Sequence, residues 1–183
     1  MAYITNLPIN GKFNVTAYFG QKGSLWSAGW HKGVDVTAAD KDIYSLCDGE
    51  VTVVGYDADG WGRYVSVKPK GFDRVRIILC HLVDNSVKVK KGQKVTRKTV
   101  IGTMGTTGNS TGVHTHIEMR IDNTAVDPCP YMKIKNKKAT GLVATDYKTT
   151  EAESNEILQD MIDEFDGKIT KIVCPHCGKE IKL

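Results

Sequence analysis

The sequence has no apolar run long enough to cross a membrane. The longest uninterrupted stretch near its middle, Ile77-Ile78-Leu79-Cys80, falls far short of the ~20 residues that a spanning helix needs. Its first residues, Met1 to Pro8, carry neither the basic start nor the roughly 7–15-residue apolar core of a secretory signal. The chain is therefore expected to be made soluble and to stay in the cytoplasm until something else lets it out. A strong charge of one sign is also missing: 25 Lys and Arg stand against 21 Asp and Glu, a net +4. That excess is too small to argue for nucleic acid and suits an anionic polymer equally well; neither nucleic acid nor a membrane is an expected partner. Cysteine is sparse and odd in number, five in all, which argues against a disulfide framework and for a reducing compartment. Cys47, Cys80 and Cys129 stand beside apolar residues and read as buried small hydrophobes. Proline is equally sparse, at five.

What the chain has in excess is glycine, 18 of 183 residues, about 10% against a usual ~7%. With stretches rich in Val and Ile, this predicts a mainly β fold with many tight turns. Apolar residues alternate in Phe13–Phe19, Glu50–Tyr56, Arg63–Lys68 and Arg74–Cys80. The breaks Asp57-Ala-Asp-Gly60 and Pro69-Lys-Gly-Phe-Asp73 carry turn residues, so these segments read as an antiparallel meander. Val113–Ile121 is one more strand, entered from the glycine-laden loop Gly102–Gly112. Composition then shifts at Lys133-Ile-Lys-Asn-Lys-Lys138, and residues 135–149 are expected to be an exposed linker after a first domain, 1–134. In the last part, 150–183, Thr150-Glu-Ala-Glu153 is a capping-box pattern, and Ile157, Leu158, Met161, Ile162 and Phe165 follow at helical spacing up to a stop at Gly167. The tail reads as a β-hairpin folded around Cys174-Pro-His-Cys177.

Four of the five histidines lie in the β-rich region: His31, His81, His114 and His116. On a strand, His114 and His116 share one face while Thr115 and Ile117 point away. Two converging imidazoles make half of a zinc site, and His31-Lys-Gly-Val-Asp35 supplies another imidazole and a carboxylate. Two His and one carboxylate, with the fourth position left to water, is an arrangement typical of catalytic rather than structural zinc. His81 and one member of the His114/His116 pair are left over.

His31-x-x-x-Asp35, Cys80-His81-Leu82 and Gly105-Thr-Thr-Gly-Asn-Ser-Thr-Gly-Val-His114-Thr-His116-Ile-Glu118 together resemble the three signatures of the lysostaphin-like zinc metallopeptidases. Asp48-Gly49, Val89-Lys-Lys-Gly92 and Ile101-Gly102 fit the supporting frame, and the resemblance spans residues 12 to 132. It implies a compact antiparallel β-sheet groove, walled by loops, that hydrolyses peptide bonds in bacterial peptidoglycan. It further implies one catalytic Zn²⁺ held by His31, Asp35 and His116, with His81 and His114 as the uncoordinated catalytic pair. Some members of that family have lost their ligands and act as activators of other wall enzymes; this chain keeps all five residues. One departure is Leu79, where the family often has Tyr, and it is expected to pack in the core. The expected role is that of a phage endolysin released at lysis, with a tail-associated wall hydrolase or a non-catalytic wall-binding module as the alternatives.

Three further groups have two readings each. Glu118, on the same strand face as His114 and His116, is either a partner that fixes a histidine tautomer or a rim carboxylate. Asn109, Ser110 and Thr111 contact substrate or cap turns. Tyr18, Tyr64, Trp26 and Trp30 line a groove or pack. In the tail, Cys174 and Cys177 resemble one knuckle of a zinc ribbon, and a second, structural zinc shared between two chains would make a homodimer; completion by His176, or no metal, are the alternatives.

Overall fold

The computed structural model describes residues 4–169, 172–173 and 180–181. In chain order the strands before the first helix are β1 (Ile4–Thr5), β2 (Lys12–Ala17), β3 (Gly33–Ala38), β4 (Asp42–Tyr44), β5 (Gly49–Asp57), β6 (Gly62–Pro69), β7 (Val75–Leu82), β8 (Lys94–Val95), β9 (Val100–Thr103), β10 (Thr115–Ile121) and β11 (Thr124–Val126). Helix α1 (Cys129–Met132), β12 (Ala139–Val143), β13 (Lys148–Thr149), the long helix α2 (Glu151–Ile169), β14 (Ile172–Val173) and β15 (Glu180–Ile181) complete the described chain. The main sheet runs β12-β2-β3-β10-β7-β6-β5-β8, with β11 paired to β10. Its pairings are antiparallel, and β5, β6 and β7 form the expected meander.

Strand alternation decides which face each residue serves. In β3, Val34, Val36 and Ala38 enter the core while Asp35 turns to the opposite face. In β10, Ile117, Met119 and Ile121 join the same core, leaving His116 and Glu118 on the other side. The central strands β7 and β10 are nevertheless buried almost throughout, because loops cover the face that the core does not. Leu79 is fully buried, and Cys47, Cys80 and Cys129 are buried free thiols.

The stretch expected as an exposed linker, 135–149, is part of the fold. Strand β12 extends the main sheet beyond β2, a 3-10 turn follows at Ala144–Asp146, and β13 pairs with β1. Ala139 and Leu142 pack on the core, Ala144 is buried, and Tyr147 meets Phe13 edge-on at 5.9 Å. The lysines that suggested a linker, Lys133, Lys135, Lys137 and Lys138, are exposed in the connection from α1 to β12. The boundary after 134 is likewise crossed by packing: Leu158 and Ile162 of α2 belong to the same core as the strands. The capping box is present, with the Glu153 N–H donating to Thr150 Oγ1 (3.1 Å) and the Thr150 N–H to Glu153 Oε2 (2.7 Å). Gly167 does not stop the helix, which continues to Ile169.

Two polar clamps add orientation. Buried Ser154 and Asn6 both accept from Arg97 (2.9 and 3.0 Å), and Arg74 forks onto Asp166 while also holding Asp122. The Arg74 pairs are exposed and contribute little, whereas burying Leu158 alone contributes about 2–3 kcal/mol. Leu158→Ala is therefore expected to lower unfolding stability by about 2–5 kcal/mol in a single denaturant transition; an unchanged transition for the β domain would mean that α2 is an appendage. In the tail, β14 and β15 pair antiparallel through Ile172↔Ile181 and Val173↔Glu180. Cys174, His176 and Cys177, and with them the second zinc and the shared-metal dimer, lie outside the described residues. Among the described residues no helix is long and apolar enough to cross a membrane.

Candidate active site

Strands β3 and β10 lie side by side with Asp35 directly opposite His116, so both side chains rise from one face of the sheet. His31 approaches from the loop just before β3, where its backbone is held by Gln21 and Gly20. The three side chains converge: His31 Nε2, Asp35 Oδ1 and His116 Nδ1 form a triangle with edges of 2.8, 2.8 and 3.0 Å. Gly33 makes this approach possible. A Cβ there would stand 2.2 Å from the Ile117 carbonyl oxygen and 2.7 Å from His116 Cε1.

Each imidazole has its tautomer set by a partner that can only accept a proton. His31 Nδ1–H donates to the Tyr18 carbonyl (3.0 Å), which leaves Nε2 as the free base. His116 Nε2–H donates to Glu118 Oε2 (3.3 Å), which leaves Nδ1. Glu118 is thus a tautomer-fixing partner rather than a rim carboxylate, and it is almost fully buried. His81 and His114 stand beside the triangle, their rings 4.7 Å apart. His81 Nδ1–H donates to the Thr107 carbonyl (2.8 Å) and His114 Nδ1–H to the Gly112 carbonyl (2.7 Å). Both therefore keep Nε2 as the unshared position; that of His114 lies 3.6 Å from Asp35 Oδ2.

The electrostatics follow from burial and pairing. Burial raises the Asp35 pKa, but the His116 and His31 rings that converge on it outweigh this and hold the carboxyl well below its usual range. Burial likewise disfavours charge on His116, yet Asp35 and Glu118 at its two ring nitrogens lift its pKa to about 9, so Nδ1 carries a proton that a bound metal would displace. His81 goes the other way, to about 4, through burial and the neighbouring His114. The unfolded chain takes up this proton near pH 6.5 and the folded chain near 4, so stability is lost as the pH falls through that window. The loss attributable to His81 is at most ~3 kcal/mol, and in His81→Gln the decline between pH 7 and pH 4.5, measured by denaturant titration in chelator, is expected to flatten. His81 also adopts a left-handed φ of 60°, a conformation costing a side chain about 1–2 kcal/mol.

Residues 29–128, more than half of the chain, match the sequence profile of Peptidase family M23. The chain belongs to this family. It is 36% identical over 98 residues to the peptidoglycan DD-endopeptidase ShyB of Vibrio cholerae, covering 53% of this chain and 22% of ShyB. It is 32% identical over 111 residues to the murein hydrolase activator NlpD of Escherichia coli, covering 58% of this chain and 27% of NlpD. The lysostaphin catalytic domain from Staphylococcus simulans superposes with a TM-score of 0.60 at 26% identity, covering 65% of this chain and 91% of that domain. The chain spans less than half the length of the curated relatives it matches.

Membership in M23 implies a metal ion, and His31, Asp35 and His116 fit one. The structure offers two imidazole nitrogens whose other ring nitrogen is already engaged, plus a carboxylate, all within 4.8 Å of one another. This M23 site opens into a cleft of about 440 Å³ lined on one wall by Trp26, Trp30 and Leu25 and on another by Asn109, Ser110 and Thr111. Trp26 stacks on the His31 ring at 4.9 Å, and Trp30 packs edge-on against Phe19. Tyr18 contributes its carbonyl, and Tyr64 packs against Trp61. Asn109 Nδ2 donates to the Leu25 carbonyl (3.2 Å), and Ser110 Oγ donates to the Gly112 carbonyl (2.8 Å); the three loop residues thus face the cleft while Asn109 and Ser110 hold their loop.

Sequence reasoning missed Trp61 and Arg120. Trp61 Nε1–H donates to Glu118 Oε2 (3.0 Å), Arg120 Nε–H donates to Glu118 Oε1 (2.6 Å), and the guanidinium lies 5.0 Å over the Trp61 ring. Burial works to raise the Glu118 pKa, but the His116 and Arg120 contacts bring it below its usual value. The one signal in the sequence was Glu118 itself: a carboxylate on a buried strand face needs donors.

Proposed function

We propose that the chain is a zinc-dependent endopeptidase that hydrolyses peptide bonds in bacterial peptidoglycan. The observation that carries this reading is the complete set of five side chains, each imidazole with its tautomer set so that the free nitrogen is the one facing the cleft. His31 Nε2, Asp35 Oδ1 and His116 Nδ1 would hold a zinc ion, which would supply Lewis acidity at the open end of the cleft.

The chain's own groups handle the proton. His81, kept neutral by its surroundings, accepts a hydrogen bond at Nε2 and orients the attacking water. His114 Nε2 takes that water's proton, and Asp35 Oδ2, 3.6 Å away, stabilises the imidazolium that forms. The same proton then passes to the amide nitrogen as its C–N bond breaks, freeing an amine. Trp26 and Trp30 exclude water from one side of the cleft, and a net charge of +4 favours an anionic wall polymer. The match to a peptidoglycan endopeptidase supports the same substrate class.

Dye-labelled peptidoglycan is expected to release its label with the zinc-loaded protein, to stop on chelation and to resume when zinc is restored. Release only after a separate wall hydrolase is added would overturn this reading and place the chain with activators such as NlpD. A lysin role adds that the protein clears chloroform-opened cells and that the chelated protein does not.

A further inference from the structure

We infer that Trp61 is a positioning residue that holds the water-orienting histidine and the metal-binding histidine in one frame, an inference that rests on the roles proposed above for His81 and His116. Trp61 touches both halves of the site by different atoms. Its backbone carbonyl accepts the His81 N–H at 2.8 Å, next to the left-handed φ that aims the His81 ring. Its indole N–H donates to Glu118 Oε2 at 3.0 Å, the same oxygen that receives His116 Nε2–H at 3.3 Å.

The frame is stiff on the Trp61 side. Asp57 Oδ2 accepts the Trp61 N–H (3.2 Å), and Tyr64 and the Arg120 guanidinium pack against the indole. The next residue, Gly62, has φ of +62°, and a Cβ there would stand 2.3 Å from the Thr107 carbonyl carbon. Backbone therefore packs on backbone, and the turn cannot drift from the loop whose Thr107 carbonyl holds the His81 ring.

Glu118 is shared among three donors, and the shortest contact is with Arg120 at 2.6 Å. A charged donor binds a carboxylate more strongly than a neutral one, so Arg120 competes with His116 for it. The indole N–H counters that pull by fixing Oε2 on the His116 side. Without it the carboxylate can turn toward Arg120, the His116 ring loosens, and the metal-binding nitrogen loses its aim.

The test is zinc affinity, read by competition with a chromogenic chelator, with kcat and KM alongside. Trp61→Phe keeps an aromatic ring and the backbone carbonyl but removes the indole N–H. It is expected to weaken zinc binding about tenfold, the lower end for loss of an outer-shell partner, and to lower kcat with little change in KM. Glu118→Gln is expected to weaken zinc binding as well, and the double variant no further than Glu118→Gln alone, because the indole acts through that carboxylate. Losses that multiply, or a zinc affinity for Trp61→Phe within twofold of the parent, overturn the inference.

Should Trp61→Phe not fold, the parent protein still decides: one equivalent of zinc is expected to move the Trp61 indole ¹⁵N–H signal and not that of Trp30, and an unmoved Trp61 signal is the contrary result. None of the zinc readouts requires turnover. A protein that shows the coupling yet releases nothing from peptidoglycan would sink the proposed function and leave the role of Trp61 at the metal intact.

Discussion

His81→Ala and His114→Ala are each expected to retain one zinc ion per chain and to lose about 10²–10⁴-fold in the rate of peptide-bond hydrolysis, the usual size of a general acid–base contribution. The expectation comes from geometry. Neither ring belongs to the His31–Asp35–His116 triangle, and both place Nε2 toward the cleft after spending Nδ1–H on a backbone carbonyl. His31→Ala and Asp35→Ala are expected to behave differently, losing metal and activity together, because each removes a corner of the triangle. Zinc content by atomic absorption, measured beside kcat on one peptide, separates the two classes. An empty site in His114→Ala would mean that His114, not His116, completes the metal set.

Gly33→Ala should be nearly as damaging although it adds a single methyl group. The new Cβ would stand 2.2 Å from the Ile117 carbonyl oxygen and 2.9 Å from His116 Nε2. The first contact is with backbone, so the β3–β10 pairing must spread, and the second is with the ring nitrogen bonded to Glu118. Overpacking of this kind costs about 1–3 kcal/mol in stability. Disturbing the Glu118 support should also weaken zinc binding by about 10–100-fold. Gly167→Ala makes the same chemical change on α2, where an added Cβ meets nothing within 4 Å, and should be neutral or stabilising by up to ~1 kcal/mol. Thermal melts with and without zinc, run on both variants, check the contrast; equal effects from the two would show that Gly33 is not a close-packed position.

The strands that became the meander were legible because alternation and turn residues are local properties. So was α2, whose capping box and apolar stripe lie within one stretch of chain. Residues 135–149 were not: the lysines just before β12 give the stretch the composition of a linker, and what makes Ala139–Val143 a strand is the distant partner β2. The histidines and Asp35 were legible as metal-ligand chemistry, but the choice of nitrogen on each ring was not. That choice rests on the carbonyls of Tyr18, Thr107 and Gly112 and on the Glu118 carboxylate, and a backbone carbonyl leaves no mark on composition. Trp61 was invisible for a related reason. It reaches Glu118 across 57 positions of sequence, through a turn whose aim depends on the glycine loop packed against it.

Mass spectrometry of soluble fragments released from purified peptidoglycan decides whether the chain cuts peptide bonds there, with the zinc-loaded parent protein run beside His114→Ala. Fragments with new amino and carboxyl termini at one type of peptide bond are expected with the parent and not with the variant. Zinc bound in full and no new termini from peptidoglycans of differing cross-link would contradict the proposed endopeptidase activity.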